Sequence, residues 1–504
     1  MSRLAVVNTR AQAALNAPAV LVEVHLSAGL PGLSIVGLPE ASVRESKDRV
    51  RSALINSGYE FPEGRITVNL APADLPKDGS RFDLPIAVGI LAASGQIPTQ
   101  GLSQQEFLGE LALTGKLRPI SAILPASVAA GKVGRELILP TLNADLAAMA
   151  NGTKVIAARS ISEVCAYINQ KAEIAPTSSS LRETSIVYPD LADVQGQQQA
   201  KRALMTAAAG GHHALFFGAP GTGKTMLASR LPGILPPLTE AEALEVASIH
   251  SLTTHAALPN WQQRPFRAPH HSSSPVSLVG GGSLPRPGEI TFSHHGVLFL
   301  DEMPEFQRQA LEILREPLES GEVVITRARY QETYPANFQL VAAMNPCPCG
   351  FLGSSGRECR CSPDQVSRYR NKISGPLLDR IDLQVEVSAQ STATILEPAK
   401  PDTNNECSRT IRNKVIEARN LQINRQGKIN SKLTPTELHE TCQLGHSEKI
   451  FMTRVCDKLN YSARAVHRVL KVARTLADLE GVDRVKQSHL AEAIQYRKLD
   501  RQAK

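Results

Sequence analysis

The order of apolar and polar residues divides the chain into three blocks. In residues 1–171, strand-like stretches such as Val20–Leu26 alternate with helical ones such as Glu45–Ser57, which predicts an α+β domain. In residues 190–396, short apolar strands are each followed by a helical segment, which is typical of a parallel α/β sheet. In residues 409–504, apolar positions recur at helical spacing, so this block is predicted to be all helical.

Two polar stretches separate these blocks. Residues 172–183 are rich in Ser and interrupted by Pro, and residues 397–406 are polar, so linkers are predicted over 172–189 and 397–408. The predicted fold class is α/β, with an α+β domain first, a parallel-sheet domain in the centre and an all-helical domain last.

The composition is that of an ordinary globular protein. Of the 504 residues, 42% are apolar and 20% are charged, which excludes wholesale disorder, collagen and coiled coil. The best candidate for a membrane span, Leu84–Ile97, is interrupted by Pro85, Gly89 and Gly95, so we expect no membrane association. The first residues show no convincing signal-peptide core, and we expect a cytoplasmic protein whose eight cysteines are thiols or metal ligands.

Positive charge is concentrated at the end of the chain. Residues 401–504 contain 20 Lys and Arg against 12 Asp and Glu, whereas the first 400 residues contain 35 against 36. A basic terminal domain is typical of a protein that binds a polyanion, most simply nucleic acid. A solvated helical surface explains the same count, and charge alone does not decide between the two.

The clearest motif is a glycine-rich loop that fits G-x-x-x-x-G-K-[ST]. It lies between an apolar strand, Ala214–Phe217, and a helical segment, Thr225–Leu231, that we expect to end at Pro232. Backbone N–H groups of such a loop bind phosphate at a helix N-terminus, with the lysine at the β- and γ-phosphates and the hydroxyl on Mg²⁺. The predicted nucleotide-binding residues are Gly218, Ala219, Pro220, Gly221, Thr222, Gly223, Lys224 and Thr225.

Two further strands end in polar residues that suit nucleotide hydrolysis. Four apolar residues after Gly296 lead into Asp301 and Glu302, which we expect to hold Mg²⁺ and to orient the attacking water, respectively. The strand Phe338–Met344 is followed by Asn345, a candidate to hydrogen bond the γ-phosphate or the water. Alone, either feature is common. An apolar strand that ends in Asp-Glu often has no catalytic role, and a strand-end Asn is usually a turn residue.

Together these motifs resemble the magnesium-chelatase-like branch of the AAA+ ATPases. Phe266–His271 and Gly280–Glu289 look like the insertion that this branch carries between its two nucleotide motifs. The resemblance implies a ring, usually hexameric, with ATP bound between subunits. It also implies that Arg380 acts as an arginine finger on the neighbouring subunit and that Arg464 in the helical lid senses the nucleotide. A surface ion pair is the alternative role for either arginine.

The first block resembles the Lon protease domain, with Lys77–Asp83 at the position of the nucleophile loop. Arg81 stands where those proteases carry serine, and the expected lysine falls near Leu124. We therefore predict a Lon-like domain without a peptidase site. A dyad of Ser80 with Lys77 or Lys116 is the remaining alternative.

The order of the three blocks resembles the ComM/YifB family. This resemblance implies an ATP-driven DNA motor of the helicase or branch-migration type, acting in recombination and in the integration of incoming DNA during natural transformation. The implied partners are single-stranded and branched DNA and further copies of the chain in a hexamer. Two alternatives are a chelatase-type subunit that remodels a protein partner and an ATP-dependent Lon-like protease.

Four cysteines cluster directly after Asn345. The pairs Cys347–Pro–Cys349 and Cys359–Arg–Cys361 place four thiols in one loop, which favours Zn²⁺. Unmetallated thiols are the alternative, because C-x-C is tighter than the usual C-x₂-C spacing.

A hairpin is predicted over Glu322–Phe338. In related ring motors such a hairpin points into the pore, so that Arg327 and Arg329, which share one face of a strand, become candidates to contact DNA phosphates. Ordinary surface charge is the alternative.

Overall fold

The structure is a computed structural model that describes residues 4–179, 187–253, 260–282, 285–327, 330–353, 357–390, 407–497 and 499. The chain forms two compact units. The first contains residues 1–185 and 240–261, and the second contains residues 186–239 and 262–504. The segment 240–261 therefore belongs to the first unit although it lies between the phosphate loop and Asp301 in sequence.

The first unit contains a mixed seven-stranded sheet in the order β3-β4-β2-β1-β5-β8-β9, and a separate pair β6-β7. Its strands are β1 (Leu4–Arg10), β2 (Ala19–Ser27), β3 (Gly32–Val36), β4 (Arg65–Ala71), β5 (Gln105–Phe107), β6 (Glu110–Leu111), β7 (Leu117–Arg118), β8 (Glu136–Pro140) and β9 (Val155–Ala158). Its helices are α1 (Ala41–Arg44), α2 (Ser46–Asn56), α3 (Asp83–Ala93), α4 (Ile123–Lys132), α5 (Thr141–Ala147), α6 (Ile161–Ile168) and α9 (Glu240–Ser251).

The apolar stretch considered above as a membrane span is instead the central helix of this unit. All eleven residues of α3 are buried, because a helix that is apolar all round is stable only inside a core. Pro85 is tolerated because it lies in the first turn, where its missing N–H has no helical partner. Within the described ranges, no helix combines the length and the apolar character that crossing a bilayer requires.

Helix α9 packs on the other elements of the first unit through a small buried apolar cluster. Ala247 shares a buried cluster with Leu124 and Ala150, and the N–H of Ala122 donates to the carbonyl of Ser251 at 2.7 Å. The sequence pattern did not indicate this packing, because the contacts join residues about a hundred positions apart or more.

The predicted alternatives for a peptidase dyad lie in different environments in the structure. Ser80 donates a short hydrogen bond to Glu110, whereas Lys77 is buried and donates to the carbonyl of Pro72. Lys116 forms a backbone bridge with Ser160. A Ser–Lys dyad needs the lysine amine within hydrogen-bond reach of the serine hydroxyl. The hydrogen bonds of the described residues join Ser80 to Glu110 and to neither lysine, and a domain without a peptidase site stays a prediction.

The second unit contains the parallel sheet, in the order β11-β14-β17-β10-β18, and two antiparallel pairs, β12-β13 and β15-β16. Its strands are β10 (Ala214–Phe217), β11 (Phe266–Arg267), β12 (Gly280–Gly281), β13 (Arg286–Pro287), β14 (Val297–Leu300), β15 (Glu322–Arg327), β16 (Tyr330–Pro335), β17 (Gln339–Met344) and β18 (Leu383–Glu386). Strand β10 lies between β17 and β18, and β14 pairs with β17 on its other side, all in parallel. Ala214–Phe217 has the predicted bounds. The predicted hairpin is present, but its first strand ends at Arg327 and its second begins at Tyr330, so Arg327 and Arg329 do not share one strand as predicted.

The helices of the second unit include five in the last hundred residues, which confirms the prediction of a helical C-terminal block. Together, the described helices of the second unit are α7 (Gln198–Gly210), α8 (Lys224–Ile234), α10 (Pro275–Val279), α11 (Glu289–Phe292), α12 (Arg308–Glu312), α13 (Arg315–Ser320), α14 (Pro363–Arg370), α15 (Gly375–Leu378), α16 (Ser408–Gln426), α17 (Pro435–Cys442), α18 (His446–Leu459), α19 (Ala463–Leu479) and α20 (Gln487–Gln495).

Helix α19 buries the apolar stripe that the sequence predicted. Val469, Leu470, Ala473 and Leu476 are buried and belong to the same core cluster as strand β10. This helix carries Arg464 in its first turn, so the packing of its apolar face fixes where that residue lies.

The predicted end of α8 at Pro232 was wrong, since the helix runs through this proline to Ile234. Pro232 lacks the N–H that would bond to the carbonyl of Ala228, but the N–H of Leu235 still donates to Leu231 at 3.2 Å. Burial of this last turn in the core compensates for the lost hydrogen bond.

Candidate nucleotide-binding site

The phosphate loop connects β10 to α8 at the carboxyl edge of the parallel sheet. Gly223, with φ of +89°, directly precedes the helix in the left-handed region that favours glycine. The N–H of Gly218 donates to the carbonyl of Met344 at 3.3 Å, which attaches the start of the loop to the end of β17. The loop and Asn345 are therefore positioned by the same pair of strands.

Lys224 is the cation of the site. Its side chain is buried, and its Nζ donates to the carbonyls of Gly218 and Ala219 at 2.8 and 2.9 Å and to Asn345 Oδ1 at 3.2 Å. Burial lowers the pKa of Lys224, while the charges of Asp301 and Glu302 act in the opposite direction. A partly desolvated ammonium held only by neutral oxygens is suited to bind an anionic phosphate.

Thr225 and Asp301 meet across the strand ends. The Thr225 hydroxyl donates to Asp301 Oδ2 at 2.7 Å, although 76 residues separate the two positions. A hydroxyl and a carboxylate are hard oxygen ligands of the kind that Mg²⁺ takes beside nucleotide phosphates. The residues present therefore fit Mg²⁺ as the sequence predicted.

Glu302 projects from a strained turn beside Asp301. Its φ of +50° is left-handed, and its N–H donates to Asp301 Oδ1 at 2.9 Å. About half of its side chain is exposed, and its carboxylate lies 3.5 Å from Nδ1 of His271. Sequence reasoning did not identify His271 as a partner of Glu302; its only signal was its place in the motif Phe266–His271.

The predicted arginine finger is held within its own chain. Arg380 donates to the carbonyl of Pro376 at 2.7 Å and to Glu319 Oε2 at 2.6 Å. The hydrogen bond from Arg380, with the charges of Arg464 and Arg468 adding to it, holds the pKa of Glu319 below its usual range. The charge of Arg464 thus acts on the same carboxylate that Arg380 contacts. Among the contacts of the described residues, none joins Arg464 to the phosphate loop of its own chain.

Arg468 connects helix α19 to the finger segment, a role that sequence reasoning missed. It donates to the carbonyl of Arg380 at 3.0 Å and to Asp382 at 2.5 Å. Burial alone would raise the pKa of Asp382, but the charge of Arg468 and a hydrogen bond from His212 outweigh it and lower that pKa. The only sequence signal for Arg468 was its position one helical turn after Arg464.

The four clustered cysteines come together as the sequence predicted. The sulfur atoms of Cys347, Cys349, Cys359 and Cys361 all lie within 4.8 Å of one another. The hairpin residue Arg329 and the side chain of Arg327 lie outside the described residues.

Comparison with known proteins assigns the family. Family models described as "Magnesium chelatase, subunit ChlI", "Subunit ChlI of Mg-chelatase" and "Magnesium chelatase, subunit ChlI C-terminal" match residues 190–395, 22–143 and 405–497. The chain is 49% identical to Competence protein ComM of Haemophilus influenzae over 504 residues, covering 99% of this chain and 98% of that protein. The chain belongs to the ComM/YifB family of magnesium-chelatase-like proteins.

Other similar proteins agree with this assignment. The YifB protein of Escherichia coli is 48% identical over 499 residues, a match that covers 99% of this chain and 98% of the YifB protein. The Magnesium-chelatase 38 kDa subunit of Rhodobacter capsulatus is 26% identical over 348 residues, covering 63% of this chain and 89% of its own. Membership of the ComM/YifB family confirms the resemblance inferred from the motifs and indicates an AAA+ ATPase that uses ATP and Mg²⁺.

The site predicts different outcomes for two substitutions in this ComM/YifB protein. Lys224→Ala should abolish nucleotide binding, because it removes the only side-chain cation that contacts the loop carbonyls in the described residues. Glu302→Gln should retain ATP binding but lower turnover by about 10²-fold or more, since an amide cannot accept a proton. Fluorescent-nucleotide titration and phosphate release measure the two effects.

Lys154→Ala is a matched control, because that lysine pairs with Glu136 on the surface of the first unit. It should bind and hydrolyse ATP like the wild type. Undiminished turnover in Glu302→Gln would show that Glu302 is not the base.

Proposed function

We propose that this protein is an ATP-driven DNA motor of the helicase or branch-migration type, acting in recombination and in the integration of incoming DNA. The observation that carries the ATP-driven part is the pairing of Thr225 with Asp301 beside the contact of Lys224 with Asn345. Its assignment to natural transformation is supported by 49% identity along the whole chain to a protein named for competence.

The chain's own residues divide the work of hydrolysis. Backbone N–H groups of the phosphate loop and Lys224 bind the phosphates, and Thr225 with Asp301 would hold Mg²⁺. When bound, Mg²⁺ neutralises charge that develops on the phosphate oxygens. Asn345 orients the γ-phosphate or the water, and Glu302 accepts the proton of that water. Because about half of the Glu302 side chain is exposed, its carboxylate is accessible to solvent water.

A ring of subunits would give Arg380 and Arg464 a role in hydrolysis at a neighbouring subunit. Arg380 and Arg464 both lie near Glu319, which is 67% exposed, so this face is open to a second copy of the chain. We propose that a neighbour's γ-phosphate displaces Glu319 from Arg380, since a guanidinium binds phosphate oxygens as it binds carboxylate. A closed hexamer would supply every nucleotide with such an arginine.

Part of the positive charge of the C-terminal block makes contacts within the unit. Arg412 and Arg419 donate to the carbonyls of Gly233 and Ala208, and Arg425 pairs with Asp478. Other cations of the block, such as Arg454 and Arg484, are exposed. We place the main DNA contact at the β15–β16 hairpin and keep this exposed basic surface as a second candidate for a polyanion.

The two strands of the hairpin are packed into the unit. Val323, Ile325 and Tyr334 are buried, and the Tyr334 hydroxyl donates to the carbonyl of Pro285 at 2.9 Å. Strand β15 ends at Arg327, and Arg329 follows two residues later in the sequence. Phosphate contacts from these arginines would hold DNA without reading its sequence.

We further propose the division into a Lon-like domain over 1–171, linkers at 172–189 and 397–408, an ATPase core over 190–396 and a lid over 409–504, with residues 240–261 of the core region belonging to the first compact unit. We place the protein in the cytoplasm and propose Zn²⁺ at the four cysteines. The similarity to the magnesium-chelatase 38 kDa subunit keeps a protein-remodelling subunit as the alternative function.

DNA should stimulate ATP hydrolysis if the motor proposal is correct. Single-stranded and branched DNA are each expected to raise turnover, and Arg327→Ala with Arg329→Ala should reduce the stimulation without changing the basal rate. Stimulation should also weaken as salt is raised, because phosphate contacts release counterions. Turnover unchanged by any DNA would instead support the protein-remodelling alternative.

Arg380→Ala should bind ATP normally but hydrolyse it about 10³-fold more slowly, because a finger acts on the transition state. Mixing Arg380→Ala with Lys224→Ala protein should restore part of the activity, since a subunit with an intact loop can meet a neighbour with an intact arginine. Arg118→Ala, at an exposed ion pair with Glu110, is the matched control and should behave like the wild type. Equal inactivity of all mixtures would mean that Arg380 acts within its own subunit.

A further inference from the structure

The four cysteines after Asn345 have the spacing of a metal site rather than of disulfides. Sulfur–sulfur distances are 3.4 Å for Cys347–Cys349 and 3.6 Å from Cys359 to each of these two. A disulfide requires about 2.05 Å. Four thiolates around a tetrahedral Zn²⁺, at about 2.3 Å each, lie about 3.8 Å apart. All four cysteines are free thiols in the structure.

A backbone group of the same loop is directed at one of the sulfur atoms. The N–H of Leu352 donates to Cys347 Sγ at 3.4 Å. Such outer contacts orient metal ligands and are a normal part of a metal centre. The arrangement therefore supplies both the ligands and a supporting hydrogen bond.

Little else stabilises this loop. No described residue between Met344 and Pro363 lies in a helix or strand, and Cys347 is the only member of the apolar core among them. A segment without a core of its own needs a cross-link to keep one conformation, and a bound metal provides it.

The loop lies directly against the nucleotide site. Gly350, with φ of +85°, donates its N–H to the carbonyl of Cys347 at 3.0 Å. A Cβ added to Gly350 would lie 2.7 Å from Cδ and Cγ of Pro220 in the phosphate loop. Asn345, whose Oδ1 accepts from Lys224, precedes Cys347 by two residues. The cysteine loop thus contacts the nucleotide site on two sides.

We propose that Cys347, Cys349, Cys359 and Cys361 bind Zn²⁺ and that the metal-held loop positions Pro220 and Asn345 for nucleotide binding. The positioning of Pro220 and Asn345 rests on the proposed ATPase activity, whereas the zinc site does not. Loss of the metal would free the loop from Pro220 and release Asn345 from its place beside Lys224. Nucleotide affinity and turnover would then both fall.

The first experiment measures metal content in the purified full-length protein. The wild type should contain about one Zn²⁺ per chain. The double variant Cys359→Ser, Cys361→Ser should contain none and should bind nucleotide about tenfold or more weakly. Cys407→Ser with Cys456→Ser is the matched control, because those cysteines lie outside the cluster, and it should retain both properties. A wild type purified without chelator and lacking zinc would overturn the proposal.

A second variant separates the contact from the metal. Pro220→Ala leaves all four cysteines and Gly350 in place but removes the ring atoms that face Gly350, so zinc should remain and nucleotide affinity should fall. Unchanged affinity in both variants would overturn the positioning role while leaving the metal site intact. If the wild type bound zinc and nucleotide but never hydrolysed ATP, the proposed function would fail, and affinity would still decide the present proposal.

Discussion

The site depends on the parallel order of β14, β17 and β10, because parallel strands bring their carboxyl ends to one edge of the sheet. Asp301, Asn345 and the phosphate loop follow these three strands, and residues far apart in sequence thereby come into hydrogen-bond contact. Thr225 meets Asp301, and Lys224 meets Asn345. A change of strand order would separate these pairs even if every motif remained in the sequence.

Local features of the site could be predicted from the sequence, but its long-range partners could not. The strand Ala214–Phe217 and the roles of the strand-end polar residues follow from short patterns that sheet geometry then brings together. The pairing of Arg380 with Glu319 joins residues 61 positions apart and has no sequence signature. The net charge of the last block likewise gave no sign that Arg412, Arg419 and Arg425 contact carbonyls or carboxylates of their own unit, because such partners lie far away in sequence.

Contacts within the second unit connect helix α19, the segment of Arg380 and the phosphate loop. Arg468 on α19 donates to the carbonyl of Arg380, so a shift of this helix would move that segment. The cysteine loop lies against Pro220 and continues into Asn345. In the proposed ring, these contacts would provide a physical route from the nucleotide state of one subunit to the proposed finger at the next.

Movement of a synthetic four-way DNA junction tests most directly whether this nucleotide site drives a DNA motor. The full-length protein with ATP and Mg²⁺ should convert the junction into two duplexes, and Glu302→Gln protein, which binds ATP without turning it over, should leave the junction intact. Sustained ATP hydrolysis by the wild type with no junction converted and no strand unwound would contradict the account.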